Sequence, residues 1–376
     1  MIFQNSNSTD NLPDSKDIGK MLAMLQNKMP VRHLMPLDRI VSDEDEYILK
    51  RLASGRFSIK PNITHQGLLY YGNCDFDKLK NGFIPSYYKG KDGISDAVHD
   101  DFLENNVLIE QFRLLIESFP LYRLLKEGIE VDDSLTIRME NSSGIASAYK
   151  LKAPYVNMTS DIDVAMFYAT HTYDDETKTF KNADVSQVGV VYTFGLAMPF
   201  GLTPGLSTLG KQVFPRTLSN RQFLYALSKD KDFNQNKMVN AFTFRQTEEG
   251  ANFYGKMFNG GEDLLPKDDF LKDKWDSLGK YIYRMAIENN WKDNPNDDFE
   301  QNCNVLKARG YDIKEGQPKF TYEDIADLDL LEIWNQLCDN LVANDRYKCD
   351  VIDFLEQVPY MDKYKSYFNA NLYYER

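Results

Sequence analysis

Cysteine and histidine are scarce in this chain, four of each in 376 residues. Cys74, Cys303, Cys338 and Cys349 contain no pair with the two-residue gap of a zinc knuckle or redox motif. That spacing points to free thiols in a reducing compartment. His33, His65, His99 and His171 are far apart and none sits in an HExxH arrangement, so no metal site is expected. No run of about 18 uncharged apolar residues occurs, which argues against a membrane-spanning helix. The opening MIFQNSNSTDNLPDSKD has no basic segment followed by an apolar one. No secretory signal is expected from it, and the expected location is the cytoplasm. Asn62-Ile63-Thr64 and Asn157-Met158-Thr159 match the glycosylation pattern but carry no weight without such a signal. GxGxxG and Walker loops are missing, which removes the standard nucleotide-binding folds. An excess of positive charge is missing too. Lys and Arg total 44 against 57 Asp and Glu, a net charge of −13. Such a surface repels nucleic acid over most of its area.

What is present is an ordinary globular composition, 42% apolar and 27% charged. Residues 1–17 are polar and read as a frayed arm. Ile18, Met21, Leu22 and Leu25 share one helical face, and Asp43 to Leu52 carries a second short helical pattern, so residues 18–60 read as a helical lead-in. Gly67 to Gly72 is an apolar strand ended by glycine. A long helix is expected from Asp101 to Ser118, with Leu103, Val107, Leu108, Phe112, Leu115, Ile116 and Phe119 in one stripe, and Pro120 should stop or kink it.

The segment from Ala146 to Thr170 is the most informative. A helix ends near Tyr149, Pro154 to Met158 is extended, and a second helix opens at Thr159 or Ser160. Ser160 is the expected N-cap, with Asp163 three residues on in a near capping box. Val188 to Phe194, Gln222 to Leu227 and Val239 to Phe244 read as strands. From about Asp268 the pattern is helical again, including a helix over Tyr322 to Ala343 and an aromatic tail from Val351 to Tyr374. Helices and strands mix without βαβ alternation, so the class is α+β: a small mixed sheet flanked by helices, with a helical C-terminal region over 267–376.

Three blocks within 61–266 resemble the FRG domain family, named for a Phe-Arg-Gly motif. Leu69-Tyr70-Tyr71-Gly72 and Ile84-Pro85-Ser86-Tyr87-Tyr88-Lys89 are similar to its aromatic-Arg-Gly strand end and Leu-Pro-Ser-Leu-Phe-Arg stretch. Ala148-Tyr149-Lys150-Leu151-Lys152-Ala153-Pro154, Asn157-Met158-Thr159-Ser160-Asp161 and Val164-Ala165-Met166-Phe167-Tyr168-Ala169 resemble its helix end, cap and Ala-Leu-x-Phe-Ala helix. Arg221-Gln222-x-x-x-Ala226-Leu227 sits at its Gln-x-Gly-x-Phe strand, and Leu264-Leu265-Pro266 is similar to its closing Leu-Phe-Pro. The chain departs from the family at Tyr71, in place of the motif arginine. It departs again at Ala148 and Tyr149, in place of histidines, and at Asn157, in place of an aspartate.

The order of these blocks is also similar to ADP-ribosyltransferase folds. That resemblance implies NAD as substrate, with no resident cofactor. Tyr71 and Gly72 would grip the nicotinamide ribose, and Asn157, Thr159 and Ser160 would brace the pocket. Arg221 and Gln222 would stand where the catalytic glutamate belongs. The resemblance further implies a role in bacterial stress or phage defence. NAD cleavage needs a carboxylate beside an oxocarbenium-like centre. Gln222 carries no charge and cannot act as a base. Glu248 or Glu249 is the alternative carboxylate. Each of these residues also has a purely structural reading, Tyr71 as a strand aromatic and Thr159 and Ser160 as helix caps. Asn259-Gly260-Gly261 reads as an anion cradle or, beside Glu262 and Asp263, as a turn. Lys78, Lys80, Lys89 and Lys91 form a basic cluster that reads best as a solvated face. The competing expectation is a non-catalytic module with a degenerate pocket that docks a protein partner through the C-terminal helices.

Overall fold

The structure, a computed structural model, describes residues 12–27, 39–40, 47–51, 57–61, 67–90, 98–127, 129–132, 135–137, 142–195, 205–209, 212–218, 222–267, 269–293, 295, 298–330 and 332–333. In chain order, α1 (Ser15–Asn27) is followed by strands β1 (Arg39–Ile40), β2 (Tyr47–Arg51), β3 (Phe57–Pro61) and β4 (Leu68–Asn73). Then come helices α2 (His99–Ser118) and α3 (Pro120–Glu127) and strands β5 (Ile129–Asp132) and β6 (Leu135–Ile137). Next are α4 (Ser142–Ala148), β7 (Tyr155–Thr159), α5 (Ile162–Thr170), the hairpin β8 (His171–Asp174) and β9 (Thr179–Asn182), and β10 (Val188–Gly195). The chain continues through β11 (Leu206–Thr208), α6 (Pro215–Leu218), β12 (Gln222–Ala226), β13 (Val239–Arg245) and α7 (Glu248–Met257). The C-terminal part holds α8 (Phe270–Ser277), β14 (Tyr281–Tyr283), α9 (Arg284–Asp293), α10 (Phe299–Ala308), β15 (Asp312–Lys314) and α11 (Tyr322–Ile325).

The class is α+β. The principal sheet has six strands in the order β11-β12-β7-β4-β10-β13, and all its pairings are antiparallel, whereas the sequence predicts a mixed sheet. Parallel pairing appears instead in a five-stranded sheet, β1-β2-β3-β6-β5, between β3 and β6, and between β14 and β15. Strand alternation divides the principal sheet's side chains between two cores. Tyr70, Val191 and Phe244 face α5, with Met166, Phe167, Leu22 and Tyr254. Leu69, Tyr192, Phe194 and Phe223 point the other way, onto Phe83 and Phe233. Helix α5 is apolar on nearly every side because β4 covers one flank and α1 and α7 the others. A third core joins α2, α3 and α4 to Phe214, Leu271 and Phe320, and a fourth packs α2 on α9 and α10.

Several expectations need correction. The arm is tied down from residue 12: Asp14 forms an isolated backbone β-bridge with Arg245, the Pro13 carbonyl accepts from the Arg245 backbone amide at 2.9 Å, and α1 opens at a buried Ser15 rather than near Ile18. Tyr47–Arg51 is a strand, not a helix, because it pairs along its length with Phe57–Pro61. Pairing with a neighbour outweighs a weak helical pattern. The helix expected from Tyr322 stops at Ile325. Asp329 starts a fresh turn there, its carboxylate accepting from the Glu332 amide at 2.9 Å. Residues 334–343 of that expected helix, and the aromatic tail, lie outside the described residues. Pro120 acts as expected, ending one helical axis and opening the next.

Candidate functional site

Strands β4 and β7 meet at one residue pair, Tyr70 opposite Thr159. Elsewhere each is held by its outer neighbour: β10 pairs β4 from Leu68 to Asn73, and β12 pairs β7 from Tyr155 to Thr159. Past Tyr70 the two strands splay, and a cleft of about 390 Å³ opens between them. That volume falls in the range of small-molecule sites. The C-terminal half of β4 forms one side and β7 the other. Val164, Ala165 and Tyr168 of α5 form the back, and the end of α4 with the β8–β9 hairpin forms the mouth.

Five of the seven sequence-predicted residues line this cleft: Tyr71, Gly72, Asn157, Thr159 and Gln222. Arg221 lies outside the described residues, and Ser160 is buried beside the cleft without lining it. Gly72 has a structural duty as well. A Cβ there would run into the Ala165 carbonyl, so glycine lets α5 lie directly on the strand. The Tyr71 ring packs on Phe83, 4.7 Å between centroids, while its hydroxyl accepts from the Asn73 amide nitrogen at 3.4 Å. Burial pushes its phenol up, so it acts as a neutral hydrogen-bonding group. The Ser147 hydroxyl donates to Asn157 Oδ1 at 2.8 Å, which fixes the end of α4 against β7.

The expected capping box at Ser160 is corrected. Asp161 is the N-cap of α5, its carboxylate accepting from the Asp163 and Val164 amides at 2.9 and 3.4 Å. A carboxylate is a stronger acceptor than a hydroxyl and suits the positive end of the helix. Thr159 Oγ1 accepts from the Asp161 amide at 3.0 Å, bracing the turn into the cap. The Ser160 hydroxyl is left buried with no hydrogen-bond partner among the described residues.

Sequence reasoning missed Lys150, Tyr168, His171, Tyr173 and Phe180, which also line the cleft. A signal for the hairpin was available in the alternation of His171-Thr172-Tyr173-Asp174 and Thr179-Phe180-Lys181-Asn182 around a polar turn. Burial pushes His171 below the usual histidine range, and its ring stacks on Phe167 with centroids 4.2 Å apart. Tyr173 and Phe180 meet edge to face at 5.0 Å and, with Tyr168, make an aromatic wall. The Lys150 ammonium stands over the Tyr173 ring, 3.0 Å from its centroid. Partial desolvation of the Lys150 side chain, which is still 42% exposed, and the nearby Arg216 and Lys272 cations push its ammonium down to about 8, although Asp175 works the other way.

Among the described lining residues there is no carboxylate. Glu248 and Glu249 lie in the first turn of α7, away from the cleft, and Glu249 pairs with Lys16 at 2.6 Å in solvent. Lys78 and Lys80 likewise pair with Asp75 and Asp77 at 3.1 and 2.6 Å and do not reach the cleft, while Lys91 lies outside the described residues. Asn259-Gly260-Gly261 is a turn with three positive φ angles, 49°, 67° and 98°, and Gly261 is pressed against Phe180 and Phe167. No family model, curated protein or solved structure matches the chain.

Proposed function

We propose that the cleft binds a nucleotide, with NAD or a relative of it as the first candidate, on a scaffold similar to FRG domains and ADP-ribosyltransferases. The observation that carries this reading is the split between β4 and β7. It places Tyr71, Gly72, Asn157, Thr159 and Gln222, far apart in sequence, around one open space. The aromatic wall suits a base or nicotinamide ring. The Asn157 amide, oriented by Ser147 through both its oxygen and its nitrogen, and the Gln222 amide bring polar groups to the cleft for ring edges or ribose. Binding is better supported than transfer. Gln222 supplies no base, and the carboxylates proposed as substitutes sit elsewhere.

The test is calorimetric titration of the full chain with NAD, run beside an assay for nicotinamide release. Binding is expected without release. Tyr71→Ala and Gln222→Ala are expected to weaken it about tenfold, the scale of one lost polar or aromatic contact, about 1.4 kcal/mol. Release abolished by Gln222→Ala would move the assignment to a transferase or glycohydrolase. Absence of NAD binding at millimolar concentration would overturn the reading. A protein-docking role for the C-terminal region draws support from Tyr281 and Trp291, which are 39% and 36% exposed. Retention of a partner that Tyr281→Ala and Trp291→Ala together abolish would favour it.

A further inference from the structure

Helix α4 ends in a tight stop. The Lys150 amide donates to the Ser147 carbonyl and the Leu151 amide to the Ala146 carbonyl, each at 3.1 Å. This closure puts residue 150 in the left-handed region, φ 64°, where glycine or asparagine is the usual choice. A lysine there is strained, and strained side chains in clefts concentrate at working sites. What the conformation gains is direction: it sends the ammonium into the mouth of the cleft, over the Tyr173 face.

The charges around it leave room for an anion. Asp175, on the β8–β9 turn, approaches Lys150 at 3.5 Å, but its side chain is 88% exposed. An ion pair so open to water holds its partners weakly. Arg216 of α6 is bonded through Nε to the buried Asp269 carboxylate at 2.8 Å. Lys272 of α8 is paired to Asp276. Both add positive potential at Lys150 without facing the cleft as lining groups. The described lining residues include no carboxylate, and Asp175, on the exposed turn, is a negative group that a bound anion must displace from Lys150.

We propose that Lys150 is the anion anchor of the cleft, holding a phosphate-type oxyanion while Tyr168, Tyr173 and Phe180 take the ring attached to it. The inference rests on the ligand-binding reading and narrows it to phosphorylated, ring-bearing ligands. A free phosphate and a nucleotide phosphate present the same oxyanion to the ammonium, so the probes must separate them.

The full chain is titrated calorimetrically with AMP, adenosine and pyrophosphate between pH 6.5 and 9.5. AMP is expected to bind at least tenfold more tightly than adenosine. That preference should fade as pH rises through about 8, where the Lys150 ammonium gives up its proton. Lys150→Met should remove the preference by weakening AMP far more than adenosine, and Lys150→Arg should keep part of it. Lys150→Gly, which suits the left-handed backbone, should raise Tm while removing the preference, separating lost anchoring from lost folding. Equal binding of AMP and adenosine, or an undiminished AMP affinity in Lys150→Met, would overturn the anchor and leave the nucleotide reading standing. Lys150-dependent binding of pyrophosphate, with AMP no tighter, would keep the anchor and sink the nucleotide reading. Binding of none of the three would overturn both.

Discussion

On one side β4 is paired to β10 through every residue from Leu68 to Asn73, and on the other it meets β7 at Tyr70 alone. The paired side is built from Val190, Val191, Tyr192 and Phe194, all buried and packed on both faces. The splayed side carries Gly72, Asn73, Asn157 and Thr159, small or polar residues. Backbone edges that face no strand partner must find water or a ligand. The same strand therefore serves stability along one edge and recognition along the other. The two edges should respond differently to mutation.

Phe194→Ala should have the largest effect, a loss of about 3–5 kcal/mol, because it empties a fully buried ring position in the closed half. Urea unfolding checks the magnitude. Ligand titration of the surviving folded fraction should show an unchanged cleft, and altered affinity there would break the division. Gly72→Val comes next, at about 1–3 kcal/mol or somewhat more, because its side chain meets the Ala165 carbonyl of α5. Unlike Phe194→Ala, it should also change the cleft, since α5 forms the back wall. Unaltered stability would show that α5 shifts freely on β4.

The cap of α5 gives a smaller contrast. Asp161→Ala should cost about 1 kcal/mol, whereas Ser160→Ala, which deletes a buried hydroxyl without a partner among the described residues, should be neutral or stabilising. Chemical denaturation of the two variants decides between them, and a larger loss for Ser160→Ala would restore the serine cap.

The smallest effect concerns His171 at the mouth. Its folded-state pKa is pushed below the ordinary 6.5 by burial, so between those values the unfolded chain binds more protons than the folded one. Stability should therefore be fully present above about 6.5 and decline as pH falls below it. His171→Phe, which can keep the stack on Phe167, should flatten that decline in a pH series of melting curves. An unchanged slope would place the titration elsewhere.

The legible parts of this chain were those with strong local period. The strands expected over 188–194, 222–227 and 239–244 and the helix expected over 101–118 follow from β-branched and aromatic runs or from an apolar stripe, and the structure moves their ends by only one or two residues. Local pattern places the cap of α5 one residue early because two hydroxyls and a carboxylate stand in a row at Thr159-Ser160-Asp161, and local sequence does not rank them. Tyr47–Arg51 carries a helical pattern but is a strand, because its strand character comes from pairing with Phe57–Pro61.

The sequence by itself determined the α+β class and where the strongest strands begin, through side-chain period, while the family resemblance named five residues that line the cleft. It also fixed the absence of a base at Gln222, because that is a matter of residue identity. Only the tertiary structure decided that β4 and β7 separate after one pair, since strand pairing joins residues about 90 positions apart whose attraction has no local signature. The tertiary structure likewise turned Lys150 into the cleft. A lysine in a left-handed helix stop looks like any solvated lysine until the Tyr173 ring and the neighbouring strand edges are brought around it.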